Sequence, residues 1–169
     1  MDGQMEVLLI PEKRAKLLLA ELESVRKKLK CKIELDNENE VRIEGDPYDE
    51  YTARNVIEAF GRGFDFSDAY KLLSDDYFFK YISLKEMFKS KEQAKRIKAR
   101  IIGTEGKAKE YMQEVSGARI AVYGSTVGII GRIDEVEIAT SALQVLLEGG
   151  THKKAYRIME STRRKKSEE

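Results

Sequence analysis

Apolar residues along this chain switch between two periods, and the switches mark out its elements. Glu6 to Ile10 reads as an opening strand, and Pro11 stands at a favourable first position for the helix that follows. Through PEKRAKLLLAELESVRKKLK, Leu17, Leu18, Leu22, Val25 and Leu29 keep helical spacing with no glycine among them, so two helices here are shortened or fused into one. Lys32-Ile33-Glu34-Leu35 and Val41-Arg42-Ile43-Glu44 then alternate as strands, joined through Asp36-Asn37-Glu38-Asn39. Gly61-Arg62-Gly63 ends the next helix. The stretch FSDAYKLLSDD, residues 66–76, predicts a short connecting helix capped by Ser67, with Tyr70, Leu72 and Leu73 as its apolar face, packing two domains together. Tyr77 to Leu84 predicts another strand, whose imperfectly alternating aromatics suit a core better than base stacking. Beyond Ser90, Ala94, Ile97 and Ile101 mark an amphipathic helix; Ala118–Tyr123 and Val127–Gly131 return to strand.

The pattern repeats. Val41-Arg42-Ile43-Glu44-Gly45 matches Val127-Gly128-Ile129-Ile130-Gly131, and at the same spacing Ala53 meets Ala139 and Ile57 meets Leu143. Lys32-Ile33-Glu34-Leu35 likewise parallels Arg119-Ile120-Ala121-Val122. Two copies of one α+β fold are expected, each a three-stranded sheet packed on helices. The first spans residues 1–76 with the connecting helix; the second spans 77–169 with a helical extension at its end.

The second copy carries a feature that the first lacks. In RIIGTEGKAKEYMQEVSGARIAVYG, residues 100–124, a helix runs into Gly103-Thr104-Glu105-Gly106 and restarts on Lys107 and Lys109; it stops at Ser116-Gly117 before a strand. Glycines at 103 and 106 let a phosphodiester approach the main chain, and a helix starting at Lys107 offers free N–H groups and the positive end of its dipole to the same place. A glycine turn between two helices is common on its own. The full order resembles the core of a KH domain, whose GxxG loop clamps the backbone of about four nucleotides. Cations flank the loop at Lys91, Lys95, Arg96, Lys98 and Arg100, with Arg96 and Arg100 the strongest candidates for phosphate contacts. Ile102 lies beside the glycines. On the facing strand Ile120 and Val122 offer an apolar groove floor while Arg119 reaches a base or phosphate, although only alternate residues of a strand face one side and the others are core.

Charge agrees with this division. Net charge is only +1, yet residues 1–76 hold 12 Lys and Arg against 18 Asp and Glu, and residues 77–169 hold 19 against 12. The acidic half and the basic half therefore suit different partners, and the basic one contains the loop. The basic run Arg163-Arg164-Lys165-Lys166 adds nonspecific affinity for nucleic acid or is a frayed, solvated end.

Catalytic chemistry finds little footing. One histidine, His152, and one cysteine, Cys31, exclude a His-based metal cluster and a zinc knuckle, and the carboxylates show no paired signature. No metal or cofactor is expected. Cys31 cannot form an intrachain disulfide, and the start MDGQMEV lacks the layout of a signal peptide. No apolar run approaches the ~20 residues that cross a bilayer. A cytoplasmic location, away from membranes, fits.

The chain resembles the archaeal and eukaryotic "partner of Nob one" KH family, related to Krr-type assembly factors. The resemblance rests on Arg96 to Gly103 with Gly106-Lys107, Val122-Tyr123-Gly124, Val127 to Gly131, Gly150-Thr151-His152 with Tyr156, and in the first half Ile10-Pro11-Glu12 and Ala59 to Phe64. It implies two tandem type I-like KH domains, the first without its GxxG loop. It further implies a non-enzymatic ribosome assembly factor that binds the 3′ end of small-subunit rRNA, with the PIN-domain endonuclease of rRNA maturation and the alpha subunit of initiation factor two as partners. Thr104 departs from the family, which often has lysine there; Glu105 then has no cation inside the loop, which is expected to weaken binding or restrict its geometry. A protein-interaction scaffold with little RNA affinity of its own is the alternative, and an RNA-hydrolysing enzyme the least supported reading.

Overall fold

The computed structural model describes residues 5–169; the start of the chain, Met1–Gln4, which bears on the signal-peptide reading, lies outside them. The described residues form two compact units, divided between Ser74 and Asp75. Both share the order strand, helix, helix, strand, strand, helix, to which the second adds a one-turn helix after its first strand and a long helix at its end.

In the first unit β1 (Glu6–Leu9), α1 (Glu12–Ala20), α2 (Leu22–Leu29), β2 (Lys32–Leu35), β3 (Glu40–Glu44) and α3 (Pro47–Gly61) build an antiparallel sheet of order β1-β3-β2 against helices. Alternation works as expected: Ile33, Val41 and Ile43 are fully buried, while Glu34 and Arg42 point outward. Asp36 closes the hairpin by accepting from the N–H groups of Glu38 (2.8 Å) and Glu40 (3.0 Å). The first two helices are neither fused nor opened by a loop. Glu21 breaks them at φ −115°, ψ 16°; its N–H donates to Leu18 and its carbonyl accepts from Val25, so the break keeps its backbone groups to itself.

A short helix, α4 (Phe66–Ala69), and a 3-10 turn (Tyr70–Leu73) complete this unit. Asp65, rather than Ser67, caps α4: its carboxylate accepts from the Asp68 N–H at 2.9 Å, and Ser67 itself donates to Asp65. The segment belongs with α3, since Phe66 stacks on Phe60 with ring centroids 4.0 Å apart. Arg14 lies over the other aromatic surface at 4.1 Å from the Phe60 centroid and donates to the Phe60 carbonyl at 2.8 Å.

Cys31 is buried, and its thiol is pushed up to about 11, first by burial and then by Asp49, Glu50 and Asp46. A raised thiol stays protonated in the folded state after the unfolded chain has begun to ionise, so it lowers stability as pH rises above about 8.5. Cys31 is therefore expected to resist a thiol reagent at pH 8 in native protein and to react fully in urea. Rapid native labelling would contradict this environment.

The second unit comprises β4 (Phe78–Ser83), α5 (Leu84–Met87), α6 (Lys91–Ile102), α7 (Lys107–Ser116), β5 (Arg119–Tyr123), β6 (Thr126–Gly131), α8 (Ile133–Leu147) and α9 (His152–Ser167). Its sheet runs β4-β6-β5, again antiparallel. Ile101, Met112, Ile129, Leu143, Leu146 and Met159 form the centre of its core, all without measurable exposure. Thus Val41 and Val127, Ile43 and Ile129, Ala53 and Ala139, and Ile57 and Leu143 are equivalent buried pairs, as the repeat predicts.

α9 has no counterpart in the first unit. Ala155 and Met159 bury it on the core, Tyr156 meets Tyr111 edge-on at 4.7 Å, and Tyr111 donates to Glu160, which raises the phenol above its ordinary range. The basic run 163–166 is helical to Ser167, with Lys166 paired to Glu137, so it is not a frayed end. Among the described residues, no helix is long and apolar enough to cross a membrane, and no group of three His, Cys, Asp or Glu residues gathers to hold a metal.

Candidate nucleic-acid interface

α6 carries the loop at its end. Ser90 caps its start, accepting from the Gln93 N–H at 3.3 Å, and Ile97 and Ile101 bury one face. The helix closes where Gly103 takes φ 77°, ψ 172° and its N–H bonds the Ala99 carbonyl at 2.8 Å. Thr104–Gly106 make one 3-10 turn. Glu105 (φ 56°) and Gly106 (φ 75°) are both left-handed, and α7 begins at once on Lys107 with no side chain capping it.

Each glycine has its own reason. A Cβ at Gly103 would stand 2.6 Å from the Ala108 Cβ and 2.7 Å from the Ala108 nitrogen, so it would overlap the first turn of α7 and cover one of its N–H groups. A Cβ at Gly106 would meet nothing within 4 Å, because that residue faces open space. Gly103 lets the two helices close up; Gly106 gives the left-handed turn and leaves its outer surface clear. The N–H groups of Gly106 and Lys107 are bonded inside the turn, to Gly103 and Thr104, and no side chain accepts from the N–H groups that open α7. A phosphate oxygen suits this place.

Thr104, Glu105 and Lys107 are exposed around the turn, and Lys109 and Ile102 are half-buried beside it. Glu105 does have a cation nearby, Lys107 at 3.8 Å, just outside the loop; both side chains are about three-quarters exposed, so the pair is weakly held and open to exchange for a phosphate. Lys98 lies one turn below Ile102 on the same helix face.

Four sequence-derived candidates fall elsewhere. At 100° per residue, Arg96 and Arg100 lie about 160° around α6 from Lys98. Arg100 is committed there to the end of α8: its guanidinium donates to the Gly150 carbonyl at 2.6 Å, and its own carbonyl meets the His152 ring at 2.7 Å. It anchors α9, and Arg96 shares that face as an exposed residue. Ile120 is 3% exposed in the core, and Arg119, its strand neighbour, lies on the opposite face of the sheet from the helices. Val122 is half-buried. Replacing Arg100 with alanine is therefore expected to cost about 1–2 kcal/mol of stability and to change RNA affinity less than twofold at physiological salt; a tenfold loss of affinity would return Arg100 to the binding surface.

The sequence reading also missed α5. This single turn, capped by Ser83, brings Lys85 and Lys89 against the Lys98 side of α6. Four residues carry too little periodicity to be seen.

Fold and loop together define the class: a tandem KH protein in which one copy keeps the glycine loop. A model of the second KH domain of PNO1, described as a eukaryotic type KH-domain (KH-domain type I), matches residues 78–164. A KH domain-containing protein of Methanocaldococcus jannaschii is 37% identical over 97% of this chain and 76% of its own. The pre-rRNA-processing protein pno1 of Aspergillus fumigatus is 32% identical over 60% of this chain, which spans only 42% of the fungal protein. Among solved structures, a chain of the a/eIF2alpha–aDim2p–rRNA complex from Pyrococcus horikoshii superposes with a TM-score of 0.87 at 32% identity, covering 96% of this chain and 95% of that one. The chain belongs to the PNO1 family of KH-domain proteins.

Proposed function

We propose that the second unit binds single-stranded RNA through the Gly103–Gly106 turn, and that the protein acts as a non-enzymatic ribosome assembly factor at the 3′ end of small-subunit rRNA. The observation that carries this is the uncapped start of α7 beside two glycines, one of which would cover the Ala108 nitrogen if it bore a side chain. Thr104, Glu105, Lys107, Lys109, Lys98 and Ile102 surround that point, and the phosphate backbone supplies the oxygen it lacks. The rRNA complex of the Pyrococcus relative and the pre-rRNA-processing role in the fungal relative's name support RNA of this class as the ligand.

The same complex supports the alpha subunit of initiation factor two as a protein partner. The PIN-domain endonuclease is a further partner in this reading, and the first unit suits protein contacts better than RNA. Its helix break at Glu21 is closed on itself, Glu21 and Glu23 flank the place where the loop would be, and Tyr48 and Tyr51 are exposed on α3.

Binding of a fluorescent oligonucleotide carrying the 3′ end of small-subunit rRNA, beside a scrambled one, tests the assignment. The intact loop is expected to prefer the native sequence, with a log–log salt slope of about −0.7 for each phosphate contacted. Equal, weak binding of both oligonucleotides with protein partners still captured would favour the scaffold.

A further inference from the structure

α9, which the first unit lacks, carries seven Lys and Arg in its 16 residues against one acid, Glu160. At 100° per residue Lys153, Arg157 and Arg164 lie within about 40° of one another, on the side opposite the buried Ala155 and Met159. All three are exposed, and Lys154 and Lys165 are exposed along one edge of the same strip. From Lys153 to Arg164 the helix rises about 16 Å. Glu160 falls within the strip, but its carboxylate accepts from the Tyr111 hydroxyl on α7. Lys166, on the inner side, is the cation that pairs with Glu137; among the described residues none of Lys153, Arg157 and Arg164 is held in an ion pair. The row continues past the start of α9, because Arg100 is bonded to that corner and the exposed Arg96 stands one turn before it on α6.

What the row lacks selects its ligand. Tyr156 is turned inward against Tyr111 at 4.7 Å, and no large apolar side chain of α9 is exposed. Proteins that hold a single strand stack its bases on aromatic rings; this face offers none. A straight row of fixed cations suits a straight row of fixed phosphates. A duplex presents about one charge per 1.7 Å of axis, twice the density of one strand. We propose that the outer face of α9, with Arg96, docks the phosphate backbone of a double-helical RNA segment without reading its sequence. The glycine turn is served from the Lys98 side of α6, about 160° away, so the two faces are separate. That the duplex is RNA rests on the RNA-binding reading of the second unit; that a duplex docks on α9 does not depend on the turn.

The full chain is titrated with a blunt RNA duplex of about 16 base pairs, the span that a double-stranded RNA-binding domain covers, and separately with the single-stranded 3′-end oligonucleotide. At ~0.15 M salt the intact protein is expected to bind the duplex at roughly micromolar concentration whatever its sequence, with a log–log salt slope of about −0.9 per phosphate. A Lys153→Glu, Arg157→Glu, Arg164→Glu variant loses at least about tenfold in duplex affinity, with a slope shallower by about 2.7 for three lost phosphates. Its single-strand affinity stays within about twofold. The Lys153→Gln, Arg157→Gln, Arg164→Gln counterpart removes charge without adding repulsion and loses at least about threefold. Both keep the melting temperature of the intact protein, since all three side chains are exposed. Saturating single strand leaves the duplex bound.

The docking face is overturned if the duplex does not bind, if its affinity survives the charge reversal, or if the single strand displaces it. Equal weakening of duplex and single strand would mark a mere change in net charge and overturn it too. Poly-glutamate competing as well as the duplex would assign the face to an acidic protein instead. A different result would sink the reading of the turn: single-strand binding unchanged in Gly106→Asp.

Discussion

A Gly106→Asp variant is expected to bind single-stranded RNA at least tenfold more weakly than the intact protein while unfolding at nearly the same temperature. The fold tolerates the substitution because a side chain at 106 meets no atom within 4 Å. Its φ of 75° is one that Asp adopts more readily than most residues. The carboxylate would stand where the phosphate approaches, next to Glu105, which already carries one negative charge at the turn. Like unit charges repel at such range by several kcal/mol at an effective dielectric near 20 (about 4 kcal/mol at 4 Å), so a tenfold loss is a cautious figure. Fluorescence anisotropy with a labelled oligonucleotide, run beside a thermal melt, checks both halves of the expectation. An unchanged affinity would mean that the backbone of the turn does not meet RNA.

Gly103→Ala is expected to do the opposite, striking stability first. The added methyl would lie 2.6 Å from the Ala108 Cβ and 2.7 Å from its nitrogen, atoms fixed in the first turn of α7 that cannot swing aside. Overpacking of this kind, with a left-handed φ of 77° that alanine disfavours, costs about 2–4 kcal/mol. Calorimetry should show the transition of the second unit moving down by roughly 10 °C or more, since 1 kcal/mol shifts a unit of this size by about 4–8 °C. A melt like that of the intact protein would contradict the packing at this corner. The two glycines are thus not interchangeable probes, and a variant altering both confounds lost folding with lost binding.

Much of this was legible in the residues. The strands announced themselves by alternation, and the spacing of Val41, Ile43, Ala53 and Ile57 from their partners in the second copy located buried positions in both sheets and in the helices that follow them. The glycine turn was visible because Gly103 and Gly106 stand between two helical patterns, the second of which stops at Ser116-Gly117 before a strand.

What stayed hidden depends on elements distant in sequence. Arg100 looks like an ideal phosphate ligand along α6, but the α8–α9 corner, some 50 residues later, claims it through Gly150 and His152. Periodicity reports that a helix has a polar face; it does not report which part of that face another helix will cover. Ile120 and Arg119 illustrate the same limit in a strand, where alternation separates two sets without saying which one a ligand meets. Glu21 broke a helix at negative φ with neither Gly nor Pro to signal it, between Leu18 and Val25, both fully buried. Asp65 outcompeted Ser67 as a cap through geometry alone.

The central claim is that RNA is held by the turn of the second unit, and amide chemical-shift mapping during titration with the 3′-end oligonucleotide tests it most directly. The account predicts that the largest shifts fall on Thr104 to Lys109 and on Lys98 and Ile102, with Leu18 to Val25 of the first unit unmoved. Shifts centred on the Glu21 break, or spread evenly over the lysines with the 103–109 amides silent, would contradict it.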